Sequence, residues 1–358
     1  MPSARVKRVV ERLEADGLSA LYVTSLPNIY YLTGFTGSTA QVLISPQRRW
    51  FITDFRYHEQ FAAQVDQDFE LIDNTTRKFI EEILPSLNGA QLKRIGFESE
   101  HVTHAAFLKL SAADGFEFTP TAAWIEDLRL VKDEGELARI REAVALGERI
   151  FGELIALIGP QTREADLAAE IEYRARKYGA EECSFSPIIA SGLNSSKPHA
   201  GFTKQLLTPA APLTIDMGVK LNGYCSDMTR TVFYKDCPAQ WRKVYNVVRE
   251  AKRLAQAVVG PGVAGSAVDA AARQYITDEG YGEHFGHGLG HGVGIEVHEA
   301  PRLARTADNI LAVGQVGTDE PGIYLPGEGG VRIEDMFVVT ANGSENLNSL
   351  GDEIQVVG

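Results

Sequence analysis

Asp216 and Asp227 stand on either side of Asn222-Gly223 in the stretch LTIDMGVKLNGYCSDMTRTVF, residues 213–233. An Asn-Gly pair between strand-forming residues is a strong signal for a two-residue hairpin turn. Pairing about that turn sets Gly218 opposite Asp227, and Asp216 then lies two residues along on the same face. Two carboxylates held as diagonal neighbours repel each other, and relief needs a shared proton or a cation. Taken alone, the stretch fits a solvated polar ribbon equally well.

Further groups of the same chemical kind follow. FGHGLGHGVGIEVHEA, residues 285–300, carries His287, His291 and His298 among five glycines. Glycine lets a backbone approach something closely, and neutral imidazole is a common metal ligand. TDEPGIY (318–324) and GVRIED (330–335) flank the tight connection LPGEG. Pairing about Gly327 places Glu320 opposite Glu334; either glutamate alone would read as a solvated strand residue. Asp216, Asp227, Glu320 and Glu334 balance two divalent cations in formal charge, with one histidine as a further ligand. Such an oxygen-rich set favours Mn²⁺, with Co²⁺ or Zn²⁺ as alternatives. No cysteine is grouped with these residues, which argues against a closed structural zinc site. Two cations about 3.5–4 Å apart can hold a bridging hydroxide and stabilise a tetrahedral oxyanion.

The elements around these residues divide in two. At 358 residues the chain exceeds one ordinary core. Residues 1–130 alternate helix and strand signals, which predicts an α/β layer domain. Helices are expected near 4–15, 57–65, 77–83 and 103–112. Strands are expected at 18–24, 40–45, 50–53, 69–72 and 94–97. NIYYLTGFTGS, residues 28–38, reads either as a shaped loop over a ligand or as a glycine-rich turn whose aromatics plug the core. From about residue 131, Leu137, Ile140, Val144, Gly147, Phe151 and Leu154 recur at helical spacing. Helices near 164–177, 239–259 and 267–279 complete an α+β domain running to residue 358.

Composition narrows the function. A formal charge of −13 argues against nucleic acid or an anionic membrane as partner. No apolar run reaches the ~20 residues of a membrane span. The N-terminal pattern is an amphipathic helix rather than a signal peptide. Three cysteines without C-x-x-C spacing read as reduced thiols of a cytoplasmic protein.

Five motifs carry a resemblance over nearly the whole chain: SGLNSSKPHA (191–200), IDMGVKLNGYCSDMTRT (215–231), HGLGHGVGIEVHE (287–299), EPGIYLP (320–326) and VRIED (331–335). In order and spacing they resemble the pita-bread metallopeptidases: methionine aminopeptidase, aminopeptidase P and prolidase. The resemblance implies a pita-bread catalytic domain at 131–358 behind a creatinase-like N-terminal domain at 1–130, which methionine aminopeptidases lack. It implies that Asp216 chelates one metal, Asp227 and Glu334 bridge both, and His291 and Glu320 bind the other. Glu320 would also shuttle the proton. His199 and His298 would stabilise the intermediate, and His287 would line the subsite after the cut. Arg332 would steady ligand carboxylates, with Tyr224 and Tyr324 in support; Tyr224, Arg332 and Arg302 are also candidates to touch substrate. Asp319 departs from the apolar residue usual before Glu320, and it is expected to face away from the metals.

The N-terminal motifs resemble Xaa-Pro aminopeptidases most. Proline lacks an amide hydrogen and has a fixed φ, so its peptide bonds need a dedicated pocket. The expectation is therefore a cytoplasmic aminopeptidase P acting on peptides with proline second, as a homodimer whose N-terminal domain narrows the partner's cleft. The alternative is a prolidase restricted to Xaa-Pro dipeptides, with Arg302 holding the product carboxylate. A metal-free creatine hydrolase would not need all five ligands, and a catalytically dead scaffold would usually have lost some.

Overall fold

A computed structural model describes residues 2–87 and 91–358. They form two compact units, Met1–Arg129 and Leu130–Gly358. The first is built on a six-stranded mixed sheet. Its order is Glu70–Asp73, Arg49–Thr53, Gln41–Ile44, Ala20–Val23, Arg94–Glu98 and Glu117–Thr121. The N-terminal helix Pro2–Asp16 buries Val6, Val9 and Leu13 on one face, the i, i+3, i+7 stripe of an amphipathic helix. The edge strand Glu117–Thr121 and the short helix Glu126–Leu130 escape the sequence pattern. Pro120 lies in that strand and reads as a strand breaker, but an outer strand tolerates it.

Residues 28–38 do not form the ligand-covering loop. Leu26–Thr33 is a helix with proline in its first turn, and Gly34 closes it in the left-handed region at φ 77°. Tyr31 and Phe35 are each 2% exposed, so the aromatics plug the core. Asn28 is wholly buried. It donates to Glu98 (2.7 Å) and Glu126 (2.6 Å) and accepts from Arg129 (2.7 Å).

The second unit opens with the helix Glu134–Ile155. Asp133 and Glu136 cap it reciprocally, at 2.9 Å each way. Ile150, Phe151 and Leu154 of this helix pack with Leu167 and Ile171 of the helix Glu164–Lys177 beside the strand Pro212–Met217. The helices Ala239–Val258 and Gly265–Asp278 bury Val244, Val248, Val268 and Ile276 over the other core, together with Ile323, Val331 and Phe337 from the C-terminal strands. Helices thus back strands that carry the candidate ligands. No helix among the described residues is long and apolar enough to cross a membrane.

Candidate metal centre

The first ribbon pairs in the register its turn dictates. Asn222 and Gly223 both have positive φ, 51° and 77°, as a two-residue primed turn requires. Leu221 pairs with Tyr224, and beyond a break Met217 pairs with Met228 and Asp216 with Thr229. Asp227 is therefore the diagonal neighbour of Asp216. The second ribbon also keeps one register across a break. Gly322 pairs with Arg332 on one side and Asp319 with Asp335 on the other. Glu320 and Glu334 are left opposite each other in the gap.

The two ribbons and the histidine-rich strand converge. One ligand atom each from Asp227, His291 and Glu334 lies within 4.8 Å of the others. The His291 Nε2 is 3.7 Å from Asp227 and 3.5 Å from Glu320. Glycine has a reason here different from the one expected. A Cβ on Gly290 would meet the Thr318 carbonyl oxygen at 2.0 Å, and one on Gly292 the Ala300 carbonyl oxygen at 2.0 Å. The bare backbone admits neighbouring strands, and that packing holds His291 between them.

Electrostatics define the cluster. Asp216, Asp227 and Glu334 are buried, and Arg332 is the cation at their centre, donating to Asp216 at 2.6 Å. Burial and mutual repulsion raise the carboxyl groups of Asp227 and Glu320 well above their usual range, and push Glu334 up to about 8. Asp216 is raised by burial, with Arg332 opposing. Burial pushes His291 down to about 4, which leaves its imidazole neutral and able to ligate. Asp216 Oδ1 and Asp227 Oδ1 are buried with no hydrogen-bond partner. Orphaned carboxyl oxygens beside a neutral imidazole are a donor set that fits divalent cations.

The outer residues sort by exposure. His199, His298 and Arg302 are exposed. The His298 ring packs edge-on to His291 at 4.4 Å between centroids. Arg302 pairs across the strands with His291. His287 Nε2 is 3.0 Å from the Tyr324 hydroxyl, which accepts from Arg332 at 2.8 Å. Arg332 also donates to the Pro198 carbonyl at 3.0 Å, so its fork holds protein groups and is not offered to substrate. Tyr224 is not at the centre either. It is 1% exposed, and its hydroxyl donates to Glu136 at 2.8 Å. Asp319 turns to the rear, opposite Asp335, where Lys252 and Arg230 supply positive charge. Thr229, not singled out in the sequence, donates to Glu334 at 2.7 Å. Its position two residues after Asp227, hence on the same face, was the available signal.

A chain whose buried carboxylates and imidazole converge on two β-ribbons belongs, by fold and donor set, among the metal-dependent hydrolases. Residues 138–341 match the model of metallopeptidase family M24, and residues 5–131 match the creatinase/prolidase N-terminal domain. The chain belongs to metallopeptidase family M24, with the pita-bread catalytic fold behind a creatinase-like N-terminal domain. It is 39% identical to the uncharacterized peptidase YqhT of Bacillus subtilis, over 95% of this chain and 96% of that one. Among solved structures it is similar to an Xaa-Pro dipeptidase from Bacillus anthracis, with 36% identity, TM-score 0.95 and complete coverage of both chains. It is also similar to an X-Pro aminopeptidase from Thermotoga maritima, with 36% identity, TM-score 0.91 and coverage of 99% and 100%.

Proposed function

We propose that this chain hydrolyses Xaa-Pro peptide bonds, with Xaa-Pro dipeptides as its first substrates, and that it does so with two divalent cations, Mn²⁺ foremost. The observation that carries the reading is the set of orphaned, buried carboxylate oxygens around a neutral His291. Asp216, Asp227, His291, Glu320 and Glu334 would hold the cations. When bound, the cations supply Lewis acidity toward the scissile carbonyl and an activated water. Glu320 accepts the proton of the attacking water and returns it to the leaving proline nitrogen, a role suited to a carboxyl that burial and Glu334 raise well above its usual range. His199 and His298 donate to the carbonyl oxygen as it gains charge. His287, kept neutral by burial that pushes it down to about 4, borders the proline.

Dipeptides are put first because Arg302 is an exposed cation that pairs across the strands with His291. An arginine there suits the free carboxylate of the product proline. The aminopeptidase reading keeps support from the likeness to the Thermotoga maritima structure, as strong in identity as that to the dipeptidase. The test is product analysis on Ala-Pro after chelation and after Mn²⁺ is restored. Release of alanine and proline only with metal is expected, and failure to cut any Xaa-Pro bond with metal restored overturns the proposal. A cytoplasmic homodimer belongs to the same reading, and light scattering at twice the chain mass is its check.

A further inference from the structure

His199 sits in an irregular stretch. Between the strands Ile188–Ser191 and Pro212–Met217 the chain has one short 3₁₀ turn, Gly192–Ser196, and an isolated bridge at Leu206. Backbone groups without a ladder of their own need partners elsewhere. One buried acid supplies several of them. Glu164, the first residue of the helix Glu164–Lys177, is 2% exposed. One of its carboxylate oxygens accepts the Ser191 N–H at 2.7 Å, and the other accepts the Thr203 N–H at 2.7 Å. The Asn194 amide donates to both, at 3.3 and 3.1 Å, and to the Gly201 carbonyl at 3.0 Å. Glu164 therefore ties the stretch before and after His199. Bonds to a carboxylate hold geometry more firmly than neutral ones, and a helix N-terminus favours a negative charge there.

The same stretch is fastened to the ligand ribbons on its other side. Arg332, which donates to Asp216 at 2.6 Å, also donates to the Pro198 carbonyl at 3.0 Å. The Ser195 hydroxyl accepts the Gly330 N–H at 2.9 Å. The stretch is thus slung between the carboxylate cluster and Glu164, with His199 one residue past the Arg332 anchor. Burial first, and the nearby His199 next, lower the His298 imidazole, so the two rings lie within electrostatic reach of each other. A catalytic donor displaced by about 1 Å costs on the order of 10²-fold in rate. Whatever fixes residues 191–203 therefore bears on the rate through His199.

We propose that Glu164 is a positioning residue for this hydrolysis, holding the stretch 191–203 so that the His199 imidazole meets the scissile carbonyl. It touches neither substrate nor cation. This deepens the Xaa-Pro reading and rests on it.

The experiment is a double-mutant cycle on Ala-Pro cleavage by the Mn²⁺-loaded protein, with Glu164→Gln, His199→Ala and the two combined. Glu164→Gln keeps the size of the side chain but turns an amide donor toward a backbone donor. Its kcat is expected to fall about 10–100-fold, with KM within about two-fold and calorimetric Mn²⁺ affinity unchanged. On the His199→Ala background the same change should cost less than about two-fold, because a residue acting through another has nothing left to position. Asn194→Ala loosens the stretch without altering the buried acid. It should lower kcat about three-fold or more, and its effect should also vanish without His199. A lower melting temperature accompanies the loss of a buried acceptor, and kinetics on folded, metal-loaded protein are independent of it. Losses that multiply in the double variant, or Mn²⁺ affinity that falls as far as kcat, overturn the proposal. A wild-type kcat in His199→Ala also overturns it and leaves Xaa-Pro cleavage standing. Failure of the wild type to cut Ala-Pro overturns the Xaa-Pro reading, and the proposal with it.

Discussion

Glu98 of the N-terminal unit and the acids of the candidate metal centre are buried in opposite ways. In the N-terminal unit the Glu98 carboxylate is 7% exposed and amply served. It accepts the Thr24 and Ser25 backbone N–H groups at 2.6 and 2.8 Å and the Asn28 amide at 2.7 Å. In the catalytic unit, Asp216 and Asp227 each keep a buried oxygen with no donor. Burying a charge is tolerable when donors replace water, and costly otherwise. Glu98 is a fastening within its own fold. Asp216 and Asp227 keep oxygens that no donor of the chain serves, a deficit that a bound cation would relieve.

The strongest test of that contrast is Asp227→Asn. Peptidase activity is expected to fall more than about 10³-fold if Asp227 holds metal as proposed, since a ligand is then lost and not merely a supporting contact. Calorimetry should show Mn²⁺ binding weakened in step. In chelator, however, the variant should melt above the wild type, because one of four repelling acids is gone. A lower melting temperature in chelator would mean that Asp227 is a structural acid like Glu98.

Glu98→Ala should do the reverse. It strands the Thr24 and Ser25 N–H groups and the Asn28 amide, at a cost of about 2–4 kcal/mol. Chemical denaturation should register the loss with or without metal, and folded molecules should keep their Mn²⁺ affinity.

The contrast also predicts how the metal-free protein responds to pH. Glu334 is pushed up to about 8, and Glu320 and Asp227 are raised with it. A raised acid contributes stability that is complete below its unfolded range and is lost as pH climbs through its folded value. His287 and His291, pushed down to about 4, contribute stability present above their ordinary range and lost as pH falls through about 4. In chelator, melting temperature should therefore drop by roughly 5–10 °C from pH 6 to pH 9, and Mn²⁺ should remove most of that alkaline loss. Melts in matched buffers decide it, and an alkaline slope unchanged by Mn²⁺ would detach the carboxyl shifts from the metal site.

These properties were unevenly legible in the sequence. Asn222-Gly223 and Gly327 set two registers, and every ladder pair flanking Asp227, Glu320 and Glu334 keeps them, because side-chain alternation leaves a ribbon no intermediate choice. Helices with long apolar stripes, such as Glu134–Ile155, were equally plain. The helix Leu26–Thr33 was not, because Pro27 and Gly34 mark loops and helix ends alike. The contacts of Glu164 were also hidden. Nothing local shows that an acid in a helix's first turn reaches across to the stretch that carries His199. Tyr224 misled for a related reason: candidate ligands flank it in sequence, but its hydroxyl turns to Glu136.

Tyr224 gives the smallest effect and sharpens the comparison most. If its phenol served substrate, removing the hydroxyl would raise KM for Xaa-Pro peptides. As placed, the hydroxyl donates to Glu136, which also caps its own helix through the Asp133 N–H at 2.9 Å. Tyr224→Phe should therefore cost about 1 kcal/mol of stability and change kcat/KM less than about two-fold. Paired denaturation and kinetic measurements separate the two roles. A KM raised several-fold with stability intact would return Tyr224 to the substrate path, and would show that buried hydrogen bonding in this unit, unlike that around Glu98, also serves catalysis.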